Sequence, residues 1–246
     1  MTTTEAAAEP VRRRKRGPDF TARDAAALVW LGEQYGARLD VLGVLLGRLA
    51  GGAPLSHWTV RTHVDRWERA GLVRKVRALS QTWVTPTKAA LERVELPFGV
   101  WPVPVTRVRH CHAVNVVRLW WESQPQAQRS PWISERRCYQ ERGKGPTWHI
   151  PDGKVIDPRS VDVDGPDQFI AVEVELTHKN RRAYETEVFG NLEGGTAGLM
   201  YYVPDEAFAA RLRSDIVAVQ ERRGSAVRYS VQLLPEVPGV TYKGAW

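Results

Sequence analysis

Apolar positions recur at helical spacing through residues 21–95 and give way, after a proline-rich break, to short apolar runs that alternate with longer amphipathic ones. In the first stretch, Thr21 caps a helix with Asp24 at its third position, close to a capping box. Leu28, Val29 and Leu31 form its apolar side, and Gly36 ends it. Val41, Leu42, Val44, Leu45 and Leu49 predict a second helix, stopped by Gly51-Gly52. Ser56 caps a third, with Val60, Val64 and Trp67 as its apolar stripe and Trp58 close by. Its opposite face carries His57, Thr59, Arg61, Thr62, Arg66 and Arg69, and Gly71 closes it. Leu72–Arg77 and Thr82–Val84 predict a hairpin with a basic arm, and Thr85-Pro86 opens a last short helix with proline at its first position.

Residues 96–106 hold Pro97, Pro102 and Pro104 with no regular period, which marks a domain boundary. Phe98 and Trp101 in this linker predict that it packs on its surroundings. Beyond it, Arg107–Glu122 reads as a helix, Trp132–Tyr139 as a strand carrying Glu135, and the segment at Asp152 as a second strand. Asp157–Asp167 is an acidic loop with a turn at Asp164-Gly165, and Phe169–Thr177 is a strand. A helix over Asn180–Glu193, a strand over Gly198–Val203, a helix over Asp205–Arg223 and a strand over Val227–Leu234 complete the pattern.

Composition narrows the class. At 246 residues and 43% hydrophobic content the chain can form one large domain or two small ones. No run approaches the roughly 20 apolar residues of a membrane span, and no signal-peptide pattern is present, so a cytoplasmic protein with no membrane partner is expected. Cys111 and Cys138 lack metal-ligand spacing and read as small buried side chains. The net charge is +7, and residues 1–95 carry 16 Lys and Arg against 10 Asp and Glu. Residues 1–20 read as a disordered basic tail containing Arg12-Arg13-Arg14-Lys15-Arg16. A localised basic excess is the footprint of polyanion binding.

The candidate chemistry lies in residues 148–179. Side chains alternate along a strand, so Ile170, Val172, Val174 and Leu176 share one face while Ala171, Glu173, Glu175 and Thr177 share the other. Two adjacent carboxylates on an apolar strand need a neutralising cation or basic side chain. With Asp152 on a neighbouring strand, three carboxylates converge, and such an oxygen-rich site suits Mg²⁺, with Mn²⁺ as a substitute. His110 and His112 are two residues apart on a helix and make a poor metal pair; one is expected buried and hydrogen-bonded, the other exposed.

These elements resemble known families. The helix order, with Ala70-Gly71-Leu72-Val73, a basic hairpin and then Val84-Thr85-Pro86-Thr87, resembles a winged helix-turn-helix domain over residues 21–95. That resemblance implies double-stranded DNA as partner, with the third helix in the major groove. It assigns groove or phosphate contacts to Arg61, Thr62, Arg66 and Arg69, and wing contacts to Arg74, Lys75 and Arg77. Residues 107–246 resemble the restriction-endonuclease-like PD-(D/E)xK superfamily, with Pro151-Asp152 as PD and Glu173-Val174-Glu175 as the second motif, Glu standing where Lys is usual. The expected fold class is therefore a two-domain α+β and α/β protein, a winged helix followed by a nuclease-like α/β core.

The whole is similar to the replication-relaxation family of actinobacterial plasmids and integrative mobile elements. The residues that carry the likeness are Arg109-His110-Cys111-His112-Ala113-Val114-Asn115, Trp132-Ile133-Ser134-Glu135, His149-Ile150-Pro151-Asp152 and Val172-Glu173-Val174-Glu175. The resemblance implies a metal-dependent DNA endonuclease or nickase. Asp152 and Glu173 would bind Mg²⁺, Glu175 would sit near the water, Glu135 would be a further acid, and Lys154 or Lys179 would stand in for the missing lysine. The alternative is a non-catalytic transcriptional or replication regulator on a degenerate nuclease-like scaffold, its carboxylates paired with Arg137, Arg181 or Arg182. Either form could act as a homodimer on a palindromic site.

Overall fold

The computed structural model describes residues 20–142, 148–157, 159–160 and 168–241. Residues 1–19 of the expected basic tail lie outside the described residues, as does most of the acidic loop, including Asp164-Gly165. The described residues form a mixed α/β structure with eight α-helices and two sheets. None of these helices is long and apolar enough to cross a membrane.

The N-terminal part runs α1 (Ala22–Glu33), β1 (Ala37–Arg38), α2 (Leu39–Leu49), α3 (His57–Arg69), β2 (Val73–Ala78), β3 (Gln81–Pro86) and α4 (Lys88–Arg93). Its antiparallel sheet has the order β1-β3-β2. The short β1 was not expected; it pairs with β3, while Tyr35 and Gly36 turn the chain with positive φ. A side chain on Gly36 would meet the Val84 carbonyl at 2.7 Å, so this turn requires glycine. Pro86 ends β3 and does not open α4. Thr87 caps that helix instead, accepting from the Ala90 amide. Proline is tolerated there because it is the strand's last residue.

The expected capping box of α1 forms, and its acid reaches further than the helix end. Asp24 Oδ2 accepts from the Thr21 amide at 2.9 Å, while Oδ1 accepts from Trp67 Nε1 at 2.8 Å and from the Arg66 guanidinium. One fully buried carboxylate thus ties α1 to α3.

The C-terminal part comprises α5 (Val105–Glu122), β4 (Ile133–Ser134), α6 (Glu135–Arg142), β5 (Gly153–Ile156), β6 (Phe169–Val174), α7 (Arg181–Glu193), β7 (Thr196–Val203), α8 (Glu206–Arg223) and β8 (Tyr229–Leu233). The sheet order is β4-β5-β6-β7-β8; β4, β5 and β6 pair antiparallel, and β6, β7 and β8 parallel. The strand expected over Trp132–Tyr139 is only Ile133–Ser134, and Glu135 begins a helix. The Ser134 hydroxyl accepts from the Arg137 amide, and the Glu135 amide still donates to Asp152 O at 3.3 Å as the chain turns into α6. The β6 strand ends at Val174, although the Glu175 amide still donates to Tyr202 O at 2.9 Å.

The two parts share α5. Val116 and Leu119 pack with α1, α2 and α3, whereas Ala113, Val114, Val117 and Trp121 pack with Ile170, Val172 and Val174 of β6. Val108 and Cys111 join Trp83 and the linker's Trp101. Of 18 residues in α5, 11 are buried, so this helix belongs to no single surface. Its buried Asn115 and Arg118 have partners. Asn115 donates to Gly36 O at 2.9 Å, and Arg118 meets Glu33 at 2.9 Å and Glu122 at 2.6 Å.

Asp24 supplies a prediction. Burial works against its charge, but the Thr21 amide and Arg66 outweigh it and lower its pKa from 3.8 to about 2. Its folded value lies below its unfolded one, so it stabilises above pH 3.8, and that contribution is lost as the pH falls toward 2. Asp24→Ala leaves Arg66 and Trp67 without their acceptor. It is expected to destabilise by about 3 kcal/mol at neutral pH, read by urea unfolding, with a smaller difference from the wild type in acid.

Candidate functional site

A cleft of ≈ 930 Å³ opens where the first turns of α5, the start of α6, the 148–152 segment and the end of β6 meet. Continuing the Gly153–Val172 register by one residue sets Asp152 beside Glu173 on adjacent strands. Gly153 must be glycine, because a side chain there would lie 2.3 Å from the Trp132 ring. Close packing of that tryptophan therefore fixes the backbone that carries Asp152. The strand's two faces divide as alternation predicts. Ile170, Val172 and Val174 face α5, while Ala171 packs with Tyr184 and Val188 of α7. Glu173 and Glu175 accordingly emerge on the α7 side.

Each carboxylate has a basic partner. His110 Nε2 donates to Asp152 Oδ1 at 2.7 Å, and the Val174 amide donates to Oδ2 at 2.8 Å. His149 Nε2 and Asn191 Nδ2 both donate to Glu173 Oε1, at 2.9 and 2.8 Å. The Lys179 ammonium bridges Glu175 and Glu187. Arg107 approaches Glu135 at 3.4 Å. One imidazole atom of His149 and one oxygen each from Glu173 and Glu187 lie within 4.8 Å of one another, a spacing that can hold a metal ion.

Burial shapes the protonation of these groups. Desolvation pushes Glu173 up to about 7, helped by Glu187 and resisted by His149. Glu175 is raised too, by burial and then by Glu187. Burial lowers Lys179, but Glu187 and Glu175 more than reverse this and raise it. One ammonium can neutralise only one of its two carboxylates, and the upward shift of Glu175 keeps a proton on it near neutral pH. Asp152 alone is lowered: burial opposes its charge, but His110 and the Val174 amide prevail. The negative charge of Asp152 in turn raises His110. Perturbed carboxylates gathered in a cleft are a signature of functional sites.

Asp152, Glu173, Glu175, Lys179 and Glu135 all line the cleft. Lys154 does not; its ammonium lies 4.0 Å from Glu141 on α6. Arg137 pairs with Glu33 and Arg181 with Asp215, so neither neutralises the cluster. Of the two neighbouring histidines, His112 is buried against Thr241 O, whereas His110 enters the cleft. His110, His149, Glu187 and Asn191 were missed as site residues. Glu187 and Asn191 are four apart on α7 and so share a face, which is a readable signal. His149 stands three residues before Asp152, but its pairing with Glu173 depends on the sheet.

The basic residues of the N-terminal part divide similarly. Arg61, Thr62, Arg69 and Arg77 are exposed, and Arg61, Lys75 and Arg77 line one shallow groove of ≈ 420 Å³ between α3 and the hairpin. Arg66 instead points inward to Asp24, because that buried carboxylate needs a cation. Lys75 is held by Asp65 and Glu68, each at 2.7 Å, and Arg74 donates to Trp101 O at 3.3 Å. Both thiols are buried, and burial pushes each up to about 12, consistent with packing roles.

No family model, curated protein or solved structure matches the chain.

Lys179→Met should leave Glu175 and Glu187 facing each other without their cation. A loss of about 3 kcal/mol in urea unfolding is expected. Adding Glu187→Met should recover part of that loss, since the second substitution removes one of the stranded charges. Equal stability of Lys179→Met and wild type would show that the bridge contributes nothing.

Proposed function

We propose that the chain is a double-stranded-DNA-binding protein of a plasmid or mobile element. In this reading residues 21–95 act as a winged helix, and residues 107–246 as a PD-(D/E)xK-like core with Mg²⁺-dependent endonuclease or nickase activity. The observation that carries it is the meeting of Asp152 and Glu173, from adjacent strands, in one open cleft beside a lysine. Glu175 occupies the position where the superfamily has lysine, yet the Lys179 ammonium returns to the Glu175 carboxylate. An ammonium is thereby available beside the paired acids despite the changed motif.

The donors fit a hard divalent cation: Asp152 is charged, and Glu173 lies next to it. Bound there, the cation would polarise the phosphodiester and lower the pKa of water. The chain's own groups supply the rest. Glu175, pushed up to about 9 by burial and by Glu187, holds its proton near neutral pH and can donate it to the leaving oxygen. Lys179 offers positive charge to the developing phosphorane. Arg107, Arg109 and Arg142 border the cleft and offer charge to the flanking phosphates. On the N-terminal part, Arg61, Arg69 and Arg77 present exposed guanidinium groups to a duplex.

The non-catalytic regulator is the second reading. It is favoured by the pairing of Asp152, Glu173 and Glu175 with His110, His149 and Lys179, which makes the cluster internally neutralised in part.

Supercoiled plasmid incubated with Mg²⁺ or Mn²⁺ separates the two. The hydrolytic reading expects relaxation or linearisation that Asp152→Ala and Glu173→Ala each abolish, with duplex binding retained. An intact plasmid under every condition would leave the regulator. Under both readings, Arg61→Ala with Arg77→Ala should weaken duplex binding roughly tenfold and reduce the salt slope by about 1 per lost phosphate contact, measured by fluorescence anisotropy. Unchanged affinity and slope would remove α3 and the hairpin from the interface.

A further inference from the structure

We infer that His149, Glu173 and Glu187 form a metal site of their own, for a borderline divalent cation such as Zn²⁺, Mn²⁺ or Co²⁺, on the α7 side of Glu173. The inference extends the hydrolytic reading, with which it shares Glu173, but places a cation on different residues from the Asp152–Glu173 pair.

The first observation is geometric: one ligand atom from each of the three residues lies within 4.8 Å of the others. Glu173 and Glu187 are buried, at 3% and 2% exposure, and His149 is half-buried at the cleft wall. The second is independent of that spacing. Asn191 Oδ1 is buried without a hydrogen-bond partner. Asn191, 1% exposed, reaches the same cluster, since its amide nitrogen is on Glu173 Oε1. Turning that amide over would set its oxygen against the Glu173 carboxylate, so its orientation is determined. An orphaned buried acceptor costs about 1–3 kcal/mol, more when charged. Lys179 holds Glu187 Oε2, and the buried Tyr201 hydroxyl beside Glu187 is a neutral donor for Oε1, so the Asn191 oxygen is the acceptor left open at the cluster.

The charge balance points the same way. Lys179 pairs with Glu175 and Glu187, while Asp152 and Glu173 are met by the imidazoles of His110 and His149, which are cations only when protonated. The donor set decides the ion. One imidazole nitrogen with two carboxylates, and an amide oxygen in reserve, suits Zn²⁺, Mn²⁺ or Co²⁺. Mg²⁺ prefers all-oxygen octahedral coordination with several waters, which the open Asp152 side can accommodate better.

The test uses the full chain after removal of metals with a chelator, titrated with Co²⁺ and followed by its visible absorption and by calorimetry. Binding with a nitrogen-containing ligand field is expected, resistant to competition by Mg²⁺. His149→Ala, a change at a half-buried wall residue, should weaken it at least tenfold. Glu187→Gln should do the same, with circular dichroism reporting whether the fold survives. No Co²⁺ binding by the wild type, or binding of undiminished affinity in His149→Ala, overturns the inference. So does ready displacement by Mg²⁺. The hydrolytic reading is judged separately. His149-dependent Co²⁺ binding beside an uncut plasmid upholds this site and sinks hydrolysis. Asp152-dependent cleavage without such binding does the reverse.

Discussion

Burial of α5 on nearly every side is the constraint on which the rest of the molecule depends. A helix with apolar residues all round must be covered all round, and here the cover comes from both parts of the chain. Val116 and Leu119 complete the N-terminal core, and Val114, Val117 and Trp121 complete the core beneath β6. The polar residues on the same helix cross the junction. Arg118 and Trp30 converge on Glu122, and Asn115 holds the Gly36 carbonyl. From α6, Arg136 reaches Gly32 O at 2.8 Å and Arg137 reaches Glu33 at 3.0 Å. Removing one partner from such buried contacts costs far more than a surface pair would. The 234–241 segment adds a further tie: Val237 enters the N-terminal core, and the Thr241 amide donates to Asp40.

That rigid junction sets the cleft. The first turns of α5 carry Arg107, Arg109 and His110 to its edge, so packing at the far end of the helix positions the group that binds Asp152. The sheet fixes the other wall. Antiparallel pairing of β5 with β6 brings Asp152 to Glu173, and the crossover through α7 brings Glu187 and Asn191 beneath them. The result concentrates negative charge where water is scarce. Glu173 is pushed up to about 7, and Glu175 is raised by the same desolvation. A fold that optimised only stability would not gather these acids, because burying like charges is costly. Their retention together is an argument for chemistry or for a bound cation at this position.

Local signals were read well where the physics is local. Thr21 and Ser56 cap helices as expected, and Asn180 and Asp205, expected as first helical residues, are caps too, because an N-cap needs only its own oxygen and an amide three residues on. The division of β6 into an apolar and a carboxylate face followed from alternation alone. Strand length was less legible. Whether Trp132–Tyr139 continues as a strand depends on whether a neighbour offers a ladder, and among the described residues the pairing with β5 stops at Ser134, with the Glu135 amide still reaching Asp152 O. The brief β1 has the same explanation, since two residues become a strand only because β3 passes beside them.

By itself the chain's order of residues determined the starts of α1 and α3, the basic bias of the N-terminal part, and the grouping of Glu173 with Glu175 near Asp152. These depend on spacing along one element or on charge counts, both of which survive without tertiary contacts. Only the folded structure decided which cations answer those acids. Arg66 left the surface because Asp24 is buried 42 residues away along the chain. Lys179, rather than Lys154, reached Glu175, because the turn before α7 folds its ammonium back beneath β6 while Lys154 extends toward α6. His149 and Glu187 met Glu173 through a sheet and a crossover helix. Electrostatic partners are chosen by distance in space, and no pattern along the chain encodes those distances directly.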